Sequence, residues 1–156
     1  MNWDAIGAIG EIVGAAAVVV SLLYLGIQIR AQTRQSKIAA MHDISAVFRE
    51  VVSYFDDEHK SKLFIRALDE NADLEEHEKF QLMVGCQRGL RVWEEAYYMH
   101  QAGNLDAKNW EGMNRQFQSF FAMPAFQRTW SLRAEFYGKE FRQMVESAAP
   151  SNYRLK

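Results

Sequence analysis

At 156 residues and a formal net charge of -2, the chain has room for one domain and lacks the clustered positive charge of a nucleic-acid binder. Residues 43–78 hold eleven acids against four bases and residues 79–156 eleven bases against seven acids, so the middle reads as a solvated acidic face. A single cysteine, Cys86, rules out an intrachain disulfide framework, while two prolines and abundant Ala, Leu, Glu, Gln, Arg and Met favour helices.

Residues 5–29 read AIGAIGEIVGAAAVVVSLLYLGIQI, with Glu11 the one charge. A helix rises about 1.5 Å per residue, so this run can cross a hydrocarbon core of about 30 Å. It is too long and too uniformly apolar for an ordinary buried helix. It also lacks the basic leader of a cleaved signal peptide, because its Lys and Arg residues follow the apolar run. The expected element is an uncleaved anchor over residues 1–30. Arg30, Arg34 and Lys37 lie on its C-terminal side and Asp4 on its N-terminal side. Positive-inside bias therefore predicts an outside N-terminus and a cytoplasmic C-terminal domain, with Trp3 and Tyr24 as interfacial aromatics.

Gly7, Gly10, Gly14, Ala17 and Ser21 recur at alternating spacings of three and four, which puts small side chains on one face. In lipid such a face lets two helix backbones approach closely. Glu11 is an ionisable residue inside the run. It is either a functional or paired group or a carboxyl reaching water near the outer interface.

Beyond the anchor, residues 31–57 are predicted to continue the helix, with an apolar stripe of Ile38, Met41, Ile44 or Ser45, Val47 or Phe48, Val51 and Phe55. A short helix is expected around Lys60 to Asp69. Asp73 and Glu76 form a capping-box pattern for a helix over Leu74 to Gln101 whose face holds Phe80, Met83, Val84, Leu90, Trp93 and Tyr97. Gly103-Asn104 is a stop signal and Asp106 an N-cap for the helix of Trp110, Met113, Phe117, Phe120 and Phe121. Pro124 opens a further helix carrying Phe126, Trp130, Ala134 and Tyr137. Gly138 breaks it, and a last helix holds Phe141, Met144 and Val145. The expected fold is all-α: one N-terminal transmembrane helix continuing into a bundle of about five helices over residues 58–149, with a frayed tail over 150–156.

Chemical motifs are sparse. None of His42, His59, His77 and His100 follows a Glu by three residues, so no di-iron pattern arises, and one Cys with scattered His makes no standard zinc site. No phosphate-binding glycine loop and no nucleophile elbow occurs. Glu94 and Glu95 are adjacent on a helix and point apart, as solvated acids do. Arg88 and Arg91 are candidates for an anionic ligand, set against ordinary pairing with bundle acids. Cys86 reads as a buried, inert thiol. The aromatics Trp93, Tyr97, Tyr98, Trp110, Phe117 and Trp130 read as core before they read as a ligand pocket. No catalytic residue, metal or cofactor is predicted.

The acidic-tipped, Gly-rich span AIGAIGEIVGAAAVVVSLLYLGIQIR is followed by a polar stretch over Gln28 to Gln35. Further on come Trp93-Glu94-Glu95-Ala96-Tyr97-Tyr98, Gly103-Asn104-Leu105 and the pair Phe126 and Trp130. Across nearly its whole length this pattern resembles a family of small bacterial single-span membrane proteins with a cytoplasmic helical domain, a family without an assigned activity. The resemblance implies a bacterial inner-membrane location. The sequence thus points to a non-enzymatic, membrane-anchored interaction or accessory subunit. Its expected partners are lipid and either further copies of itself or a larger membrane complex. A ligand-gated membrane effector or pore-forming oligomer is the alternative, motivated by Glu11.

Overall fold

The computed structural model describes residues 3–148, with the side chains of residues 7 and 9–148; the expected tail over 150–156 and the Trp3 side chain lie outside these. Six α-helices and one short 3-10 turn make up the described chain, with no strand among the described residues. They are α1 (Trp3–Ser53), α2 (Glu58–Arg66), α3 (Glu76–Gln101), α4 (Ala107–Phe121), α5 (Pro124–Arg133) and α6 (Lys139–Ser147). The chain divides into two compact units, Met1–Ala39 and Ala40–Lys156.

Among the described residues the first unit is helix alone, part of α1. Its large apolar side chains from Ile9 to Ile29 all face outward, Leu25 being the least exposed at 49 %. This helix is long and apolar enough to cross a membrane.

The second unit is a bundle built around α3. Its main core holds Ile44 from the end of α1 and Cys86, Leu90, Val92, Trp93 and Ala96 from α3. Phe117, Phe126, Trp130 and Phe141 bring α4, α5 and α6 to the same core. Trp93 lies at its centre, stacked on Phe117 at 5.7 Å between ring centroids and edge-on to Phe141 at 5.5 Å. Leu63, Ala67, Leu74 and Leu82 form a smaller cluster under α2.

Local signals set the helix ends. Asp57 caps α2 by accepting from the Lys60 N–H at 3.1 Å, and Asp106 caps α4 through the Asn109 N–H at 3.0 Å. Pro124 occupies the first turn of α5, where its missing N–H costs nothing. Helix α3 stops in a Schellman turn: Gly103 takes φ +72°, its N–H bonds the His100 carbonyl, and the Asn104 N–H bonds that of Met99, both at 2.9 Å.

Three expectations are corrected. The N-cap of α3 is Glu75, not Asp73, and Glu78 reaches back to the Glu75 N–H at 3.0 Å. Phe80 is 63 % exposed, and Leu82 and Cys86 take the inward positions instead. Helix α5 ends at Arg133, so Ala134 lies in the 3-10 turn and Tyr137 in extended backbone.

Candidate functional site

On α1, Gly7, Gly10, Gly14, Ala17 and Ser21 are all exposed. A Cβ added at any of the three glycines would meet nothing within 4 Å, so nothing in the chain itself requires glycine there. The Ser21 hydroxyl donates to the Ala17 carbonyl at 2.8 Å, which satisfies it within its own helix. The face therefore presents only small, internally satisfied groups. Glu11 is exposed beside it, as is Tyr24.

Arg88 and Arg91 come to one shallow groove between α3 and the end of α1, where Glu50 and Glu95 also line the wall. Arg91 is occupied by the fold. It donates to Glu94 Oε2 at 2.7 Å and to the Phe136 carbonyl at 3.1 Å, and its guanidinium lies 4.3 Å from the centre of the Tyr137 ring. Glu94 in turn accepts from the Gly138 N–H at 2.7 Å, tying α3 to the entry of α6. Arg88 lies over the Tyr54 ring at 5.3 Å. Two arginines matched by two carboxylates give a balanced groove, not a concentrated anion site.

The aromatics named from sequence pack on one another and on neighbouring rings, Trp93 on Phe117, Tyr97 on Tyr98 and Trp110, and Trp130 on Phe121 and Phe141. Trp93 donates its indole N–H to Asn114 at 2.9 Å, and His100 stacks on Trp110 at 5.3 Å. Glu78, the buried carboxylate among the described residues, is held by Arg66 at 2.7 Å. The Glu75 N–H, with Arg66, holds its carboxyl below the usual range against the opposing effect of burial.

Cys86 is fully buried. Burial pushes its thiol up to about 12, against a smaller opposing effect of the Thr129 hydroxyl. At pH 8 only about one such thiol in ten thousand is ionised, and the thiolate is the reactive form. The folded protein is therefore expected to resist iodoacetamide at pH 8 and to be alkylated at once in denaturant. Stoichiometric labelling of the native chain, read by mass spectrometry, would show that the thiol is reachable.

Sequence reasoning passed over Gly85 and Gly89. A Cβ on Gly85 would stand 2.8 Å from the Tyr54 ring and 3.0 Å from Phe55, and one on Gly89 3.2 Å from Phe126. Their four-residue spacing is the signal, because it places both on one face of α3 where neighbouring rings press in. No protein family, no curated protein and no solved structure matches the chain.

Proposed function

We propose that this protein is a non-enzymatic, membrane-anchored interaction subunit of the bacterial inner membrane, self-associating or joining a larger membrane complex. The observation that carries the reading is the outward-facing apolar surface of α1 from Ile9 to Ile29. Leaving a large apolar side chain in water forfeits about 1.5–3 kcal/mol. A dozen of them exceed the about 5–15 kcal/mol by which a domain is stable, so this surface calls for lipid or protein around it. Lipid meets the requirement along the whole circumference at once. Arg30, Arg34 and Lys37 follow the span, which favours the bundle on the cytoplasmic side. The small-residue face of α1 supplies a surface for a second helix. Glu94 and Arg91 are committed to holding the bundle together through Gly138 and Phe136.

An alkaline phosphatase fused after Lys156 is expected to be inactive while a fluorescent reporter at the same place is bright, and both should fractionate with the inner membrane after carbonate washing. Phosphatase activity would reverse the orientation; release by carbonate would remove the anchor.

A further inference from the structure

The bundle contains an aromatic cavity beside its main core, distinct from the Arg88 and Arg91 groove. Three pairs of phenyl rings frame it: Phe48 with Phe117 at 5.5 Å, Phe55 with Phe64 at 4.8 Å, and Phe120 with Phe126 at 6.2 Å. The rings come from the end of α1, the turn after it, α2, α4 and α5. Val51, Val52, Gly89 and Met123 complete the lining, so every side chain facing the space is apolar. Its volume is about 230 Å³. Val52, 44 % exposed, stands at the rim and leaves a way in from solvent.

From this geometry we infer that the bundle binds a neutral aromatic molecule of about two fused rings in the Phe-framed cavity. The size follows from volume. A void of about 150 Å³ lined by apolar side chains takes benzene, and this one is about half as large again. The aromatic class follows from the walls. Phenyl pairs offer edges and faces at the separations where rings stack or meet edge-on, and a planar guest can use both. Neutrality follows from the lining. A carboxylate or ammonium inside would lose its hydration with no side chain to replace it. Gly89 forms part of the wall, and a Cβ there would press on Phe126 at 3.2 Å, so a larger residue would disturb the frame. This inference does not depend on how the chain is anchored or oriented.

The test uses the full chain in lipid nanodiscs, with solid naphthalene present so that its activity is fixed however much enters the lipid. The readout is the Met123 methyl resonance, which ring currents of a guest must shift. Naphthalene is expected to move it, 2-naphthoate is not, and Val52→Trp should abolish the naphthalene shift by plugging the rim. Val47→Trp, at an exposed position outside the cavity, should leave it intact. An unmoved Met123 methyl at full naphthalene activity would overturn the site. Equal shifts from naphthoate would overturn the neutral class, and an unchanged shift in Val52→Trp, with Cys86 still unreactive, would overturn the location. The comparison of naphthalene with naphthoate on the unaltered chain decides even if a variant does not fold.

Discussion

Trp93→Ala is expected to destabilise the bundle by about 3–5 kcal/mol, the usual cost of deleting a fully buried indole. Trp93 is 1 % exposed and touches three rings from two other helices: Phe117 and Phe121 of α4 and Phe141 of α6. Its removal leaves a void that these rings cannot close without abandoning their own packing, Phe117 on Phe48, Phe121 on Trp130 and Phe141 on Trp130 and Tyr97. It also leaves the Asn114 oxygen without its indole donor. Trp93→Phe keeps most of the ring and loses the hydrogen bond, so its cost should be nearer about 1–3 kcal/mol. Phe80→Ala, at a position 63 % exposed on the same helix, should stay within about 0.5 kcal/mol. Helix content is a poor reporter here, because α1 remains helical in detergent whatever the bundle does. The trapping of Cys86 by iodoacetamide along a urea gradient reads the bundle alone, since that thiol is sealed in its core. Midpoints for Trp93→Ala and Phe80→Ala that coincide would show that Trp93 is not central to the fold.

The parts of this fold that are legible in the sequence are those decided by neighbouring residues. The apolar run declares α1 because its length and uniformity admit few other states. Gly103, Asp106 and Pro124 mark ends because each solves a local backbone problem at a helix terminus. The parts that escape are decided by distant residues. Asp73 and Glu76 satisfy the capping rule as well as Glu75 and Glu78 do. Leu74 is buried against Leu63, Ala67 and Leu82, however, and Arg66 grips Glu78, so the helix starts later. Phe80 looks like core on hydrophobicity, yet the inward line of α3 runs through Leu82, Cys86, Gly89, Trp93 and Ala96, all buried. Several of those are small, and small residues carry little weight in an apolar pattern. They are inward because α3 has neighbours on several sides and close approach matters more than bulk. Trp130, Ala134 and Tyr137 keep helical spacing, but Arg91 takes the Phe136 carbonyl and Glu94 the Gly138 N–H, which turns the chain before Tyr137. The Phe-framed cavity was not legible at all. Its rings, from Phe48 to Phe126, are brought together from separate elements by the tertiary fold.

Replacing Gly10 and Gly14 together by Leu is expected to weaken self-association of the span by about tenfold or more. Lipid tails are as apolar as Leu side chains, so greasiness alone gives a helix no reason to leave lipid for another helix. Close backbone approach does, through dispersion contacts that a bulkier residue would hold apart. Gly10 and Gly14 have nothing of their own chain near where a Cβ would sit, so enlarging them costs the folded helix little. The Ser21 hydroxyl is already bonded to Ala17, which leaves contact as the main force across this face. Association would also serve Glu11, since one helix cannot shelter a carboxyl from hydrocarbon and two can. At about 100° per residue, Ala15 and Ala16 lie on the far side of the helix from the centre of the small-residue face. Ala15→Leu with Ala16→Leu is thus a matched control, adding similar bulk where no partner is expected. Both pairs belong in a membrane-based association assay on residues 1–37, which removes any contribution of the bundle. The glycine pair should lose signal and the alanine pair should keep it. Equal losses would mean that added bulk anywhere disturbs the span. No loss in either would mean that the small-residue face carries no contact, and that assembly, where it occurs, is made by the bundle.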